Sequence, residues 1–87
     1  NAIGCRVEVE KMISTGRIDM VVETSTIIYV LELKLSNNGG VNAAAEQIKA
    51  KRYAEPFKAD KRKIIALAIE LEDLGKGLID WKEVSFA

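Results

Sequence analysis

The chain contains no histidine, which excludes His-based nucleophilic triads and His-rich zinc sites. It contains one cysteine, Cys5, so no internal disulfide can form, and a reducing, cytoplasmic setting fits. Cys5 reads as a small apolar residue with no part in catalysis. No apolar run approaches the ~20 residues of a membrane-spanning helix, and no signal peptide is visible, so no membrane is expected among the partners. Positive and negative charges balance, 13 against 13. A neutral chain argues against strong non-specific nucleic-acid binding by these residues alone.

What is present is ordinary for a soluble globular domain: 48% apolar and 30% charged residues in 87. A chain of this length makes one domain, 1–87, and buries only a modest share of its surface. The first residue is not methionine and strand-like sequence starts almost at once. The expectation is a C-terminal piece of a longer protein, an oligomer, or both. The charge is unevenly spread. Residues 1–48 carry net −2, residues 49–63 net +5 and residues 64–87 net −3. The basic stretch is either a solvated helix face and loop or a footprint for phosphates beside an acidic site.

Alternation marks the strands. Arg6 to Ile13 alternates charged and apolar residues through Glu10, with Arg6, Glu8 and Glu10 on one face. Ser14, Thr15 and Gly16 make a turn, and Arg17 to Glu23 is a second strand. Thr24 and Ser25 connect it to a third, Thr26 to Leu35, whose β-branched and aromatic residues suit a central position. Ser36 to Gly40 is a loop. Asn42 is the expected N-cap of a helix over 42–55, stopped near Pro56. A basic loop, Phe57 to Lys63, leads to a strand over 63–70. A loop with Gly75 and Gly77 follows, then a last strand over 79–86 with Trp81 half buried. Three strands, a helix and a strand predict an antiparallel meander followed by a parallel crossover, which makes a mixed sheet with a helix on one face.

The central hairpin carries the chemistry. Glu32 and Lys34 share a sheet face near the end of the third strand, and Asp19 lies across the hairpin near the start of the second. Two carboxylates, with the backbone carbonyl of Leu33 as a third oxygen, make a donor set for Mg²⁺ or Mn²⁺. Lys34 would orient or deprotonate an attacking water, or stabilise charge on a phosphate. The plain alternative is that Glu32 and Lys34 form an ion pair, as most E-x-K pairs on strands do. For Arg17, an ion pair with Asp19 or Glu32 is favoured over a phosphate contact. Tyr53 reads as core more than contact.

The D-x(12)-E-x-K arrangement resembles the PD-(D/E)XK nuclease superfamily. The surrounding segments are G-R-I-D-M-V-V-E-T, I-Y-V-L-E-L-K-L and A-A-A-E-Q-I-K-A-K-R-Y-A-E-P-F, with K-I-I-A-L-A-I and D-W-K further on. They are similar to an uncharacterised bacterial branch in which this domain stands C-terminal to an AAA-ATPase-like domain. The resemblance implies an α/β (α+β) restriction-endonuclease-like mixed sheet with a helix packed on it, whose N-terminal core helix would precede Asn1. It implies Asp19, Glu32 and Lys34 as the catalytic core and Gln47 as a helix residue contacting the site. It also implies a further acid for the metal, Glu10 or Glu8. Ile18 stands where the superfamily's name has proline, a position that varies widely. The expected function is metal-dependent hydrolysis of nucleic acid, DNA before RNA. The alternative is a catalytically idle binding or assembly module attached to the ATPase. The open sheet edge and small core also suggest a homodimer.

Overall fold

The computed structural model describes residues 4–13, 16–72 and 77–85. One five-stranded sheet runs in the order β1 (Arg6–Ile13), β2 (Gly16–Glu23), β3 (Ile27–Leu35), β4 (Lys63–Leu71) and β5 (Leu78–Val84). The pairs β1–β2, β2–β3 and β4–β5 are antiparallel, and β3–β4 is parallel. The helix α1 (Gly40–Ala50) links the two parallel strands and packs on both. This is the meander and crossover that the alternation pattern predicts, and it is a mixed α+β fold of restriction-endonuclease-like type. The first hairpin turn at 14–15 and most of the loop before β5 lie outside the described residues, as does Phe86.

The core lies between α1 and one face of the sheet. Ile28 and Val30 of β3, Ala66 and Ala68 of β4, and Val84 of β5 alternate toward the helix and are buried. Ala44, Ala45 and Ile48 answer from α1. Alanine on both sides lets helix and sheet approach closely. Trp81 pairs with Ile69 on the opposite face of the sheet, where no described element covers it, and it is 58% exposed. The half-buried placement expected for it is therefore corrected. Strand parity assigns a residue to a face but does not say which face is covered.

The helix also begins and ends elsewhere than expected. Its N-cap is Gly39, in the left-handed region at φ 99°, and not Asn42. Asn42 is exposed and accepts a hydrogen bond from Lys82 Nζ at 3.1 Å. The first turn is instead satisfied from the sheet. Glu70 Oε1 accepts the Val41 N–H at 2.9 Å, and Glu70 Oε2 accepts the Ser36 hydroxyl at 2.6 Å. Gly40, at φ 61°, lies so close to this carboxylate that any Cβ there would overlap it. At the other end Arg52 takes φ 51°. Its N–H donates to the Lys49 carbonyl at 3.2 Å, and the Tyr53 N–H donates to the Ile48 carbonyl at 3.3 Å. That pair of bonds is a Schellman cap, with Arg52 where glycine is usual. The helix therefore stops at Ala50, five residues before the position that Pro56 suggested. Pro56 sits instead in a separate 3-10 turn, Glu55–Phe57.

Candidate active site

The hairpin β2–β3 departs from regular pairing where its acids stand. Ladder partners run from Glu23↔Ile28 to Met20↔Leu31 and no further. In β1–β2 the pair Glu10 and Asp19 is skipped, and Glu10 adopts φ 57°. Ile18 and Val21, three residues apart, are both buried, which a regular strand forbids. Beyond Met20 the two strands thus part, and Asp19 fills the gap. Its Oδ2 accepts the Leu33 N–H at 2.9 Å, the place a ladder partner would have taken.

Glu32 points toward α1 from the next position on β3 and is 2% exposed. A buried carboxylate needs partners. One is Tyr53, whose hydroxyl lies 2.8 Å from Glu32 Oε1. The same hydroxyl lies 2.7 Å from the Arg17 carbonyl oxygen and accepts from Gln47 Nε2 at 3.0 Å. A tyrosine hydroxyl has one proton, so Glu32 and the Arg17 carbonyl compete for it. Asp19 lines the same cavity as Glu32, and its carboxyl acts on Glu32 there. Burial pushes the Glu32 carboxyl up to about 7. The Tyr53 hydrogen bond and the Lys34 charge act against the rise, and the Asp19 carboxyl adds to it. Burial also holds the Tyr53 hydroxyl above its ordinary value of 10.0, with Glu32 and Asp19 adding to the rise.

Asp19, Glu32, Leu33, Lys34 and Gln47 all line one cavity of about 450 Å³. The four side chains proposed for chemistry from sequence are therefore brought to a common space, together with the strand segment that carries Leu33. Met12, Gly16, Arg17 and Lys51 complete the lining. Glu10 does not line it. Its carboxylate pairs with Arg17 at 3.3 Å and its side chain is 64% exposed. Glu8 pairs with Lys11 at 3.4 Å and with Arg6 at 3.7 Å. The ion pair expected between Arg17 and Asp19 or Glu32 is thus corrected: the kink at Glu10 puts its carboxylate in reach of Arg17. Among the described residues no cluster of three or more acids or cysteines forms a metal site. Two carboxyls on one cavity, one of them buried, do suit a hard dication, which would favour their ionised forms.

The family is decided by a match over most of the chain. A model described as the PD-(D/E)XK nuclease superfamily matches residues 2–81. The chain belongs to the PD-(D/E)XK nuclease superfamily. A protein of Azotobacter chroococcum mcd 1, described as the uncharacterized protein in the vnfD 5' region, is 35% identical over 69 residues. The alignment covers 79% of this chain, which spans only 13% of the relative's length. No solved structure matches the chain.

Sequence reasoning left two residues of this PD-(D/E)XK site without a role. Tyr53, read as core more than contact, is both: it is fully buried, and its hydroxyl joins β2, β3 and α1 at the carboxylate. Lys51 was one cation among seven in a basic stretch. Its signal was its position one helical turn after Gln47, on the same side of α1.

Proposed function

We propose that this chain is a metal-dependent nuclease domain that hydrolyses phosphodiester bonds of nucleic acid, with DNA as the first candidate. One observation carries the reading. The Asp19 and Glu32 carboxyls line one cavity together with Lys34 and Gln47. Asp19, Glu32 and the Leu33 carbonyl would hold Mg²⁺ or Mn²⁺, both of which take oxygen ligands. When bound, such an ion stabilises charge on the phosphate and acidifies a water.

The chain's own residues supply the rest. Asp19 is anchored by the Leu33 N–H, so its second oxygen has a fixed direction. Glu32 is oriented by Tyr53, and positive charge in the cavity would favour its ionised form. Lys34 orients or deprotonates the attacking water, or donates to a non-bridging phosphate oxygen. Gln47 commits its Nε2 to Tyr53, which leaves its Oε1 as an acceptor for that water.

The test is a Mg²⁺ and Mn²⁺ titration of the full-length protein with single- and double-stranded DNA and RNA, beside Lys34→Ala. Wild-type cleavage should need the divalent ion, stop in EDTA, and fall on the order of 100-fold or more in the variant. If none of the four substrates is cleaved in either metal, the chain is an idle binding module on a nuclease fold.

A further inference from the structure

Lys51 directly follows the last residue of α1, where a positive charge complements the helix dipole. That would account for a lysine of any orientation. This one has a defined course. A Cβ built on Gly16, at the start of β2, would lie 3.2 Å from Lys51 Cδ, 3.6 Å from Cε and 3.7 Å from Cγ. The aliphatic stem therefore rests on the bare Cα of Gly16, and both residues line the cavity that holds Asp19, Glu32 and Lys34. Arg17 and Lys34 line the same cavity from β2 and β3, and Lys51 reaches it from the end of the helix across Gly16.

We propose that Lys51 binds a backbone phosphate of the nucleic acid next to the scissile one, with Gly16 as the seat that sets its reach. The proposal rests on the nuclease reading above. An ammonium is a compact, strongly hydrated point charge without arginine's planar fork. It suits one non-bridging phosphate oxygen and carries no information about bases. The recognised group is thus the sugar–phosphate backbone, whatever the sequence. Residue 16 is glycine at φ 156°, a conformation that side chains rarely adopt, and a Cβ there would also crowd the Lys51 stem.

The experiment is fluorescence anisotropy of the full-length protein with two labelled DNA duplexes of unrelated sequence. Ca²⁺ serves as the cation, and salt runs from about 50 to about 200 mM. Lys51→Met keeps the apolar stem and removes the charge. It should weaken both duplexes about equally, by roughly 3- to 10-fold at the low-salt end, and lower the slope of log affinity against log salt by about 0.9. Lys51→Arg should keep the slope. Lys51 is exposed, so Lys51→Met should melt with the wild type. An unchanged slope in Lys51→Met, or a loss confined to one duplex, overturns the role of Lys51 and leaves the nuclease reading standing. A wild type that binds neither duplex, nor a single strand or RNA, overturns both.

Discussion

Without a divalent ion, the stability of this chain should fall as the pH rises from about 4.5 to about 7, and Glu32 should be the cause. In the unfolded chain a glutamate titrates near 4.5, while burial in the fold pushes Glu32 up to about 7. Between those values the folded form keeps a proton that the unfolded form has released. The unfolded state binds fewer protons, so the free energy of unfolding decreases with pH. The stability is complete below the unfolded value and is lost through the folded one. At ~1.4 kcal/mol per pH unit the gap amounts to roughly 3 kcal/mol, a large share of what a small domain has. Glu32 is almost fully buried, so solvent screening does little to reduce this. The other carboxyls with resolved shifts, Glu55, Asp60 and Glu70, are lowered, and their contributions lie below this window. Urea unfolding in EDTA at steps from pH 4.5 to 8 measures the slope. Glu32→Gln, which cannot ionise, should be nearly flat over that range and more stable than wild type at pH 8. Adding Mg²⁺ should restore wild-type stability at pH 8 and do nothing for Glu32→Gln. A wild-type profile as flat as that of Glu32→Gln would refute the reasoning.

Further predictions concern the groups that hold the site. Tyr53→Phe leaves Glu32 Oε1 and the Arg17 carbonyl without a shared partner and should cost about 1–3 kcal/mol in urea unfolding at pH 5. The same variant should weaken Mn²⁺ binding measured by calorimetry. Gly40→Ala forces a side chain into the left-handed region and into the Glu70 carboxylate, so it should cost at least about 1–2 kcal/mol in the same assay. Arg52→Gly relieves a left-handed arginine in the Schellman cap, and the gain is partly offset by a freer unfolded chain. It should stabilise by up to about 1 kcal/mol, read as a rise in Tm.

Much of this fold was legible because alternation is strong where strands are half buried. The run from Ile27 to Leu35, with Glu32 and Lys34 interrupting an apolar pattern, identified both the central strand and the place of the acids. Antiparallel pairing across a short turn then brought Asp19 to Glu32. Other features were not legible for stated physical reasons. The end of α1 is set by the left-handed Arg52, a residue type that rarely adopts this conformation, and Pro56 drew attention to the wrong place. The start is set by Glu70, 29 residues away from the N–H it caps, and no local capping pattern reveals a cap supplied from a strand. Trp81 is exposed because β5 shows it to the uncovered face. The kink at Glu10 is a backbone event in an apparently regular strand, and with it the Arg17 pairing escaped the parity argument.

The end of the helix is where fold and site meet. Had α1 continued to residue 55, Tyr53 would lie about 140° around the axis from Ile48, since each residue turns 100°. Ile48 faces the sheet, so the tyrosine would have pointed away from it. The Schellman turn folds Tyr53 back against Ile48, and both are fully buried. In that position the hydroxyl reaches Glu32 on β3 and the Arg17 carbonyl on β2. Lys51, just before the turn, keeps helical backbone at φ −88° and lines the cavity from the end of α1 whether or not the helix continues. The left-handed Arg52 thus orients the group that supports the buried carboxylate and not the cation beside it. A helix extended through Arg52, by whatever substitution, should therefore disturb metal binding and leave the salt dependence of nucleic-acid binding in place. A change that kept the turn and removed only the Lys51 charge should do the reverse.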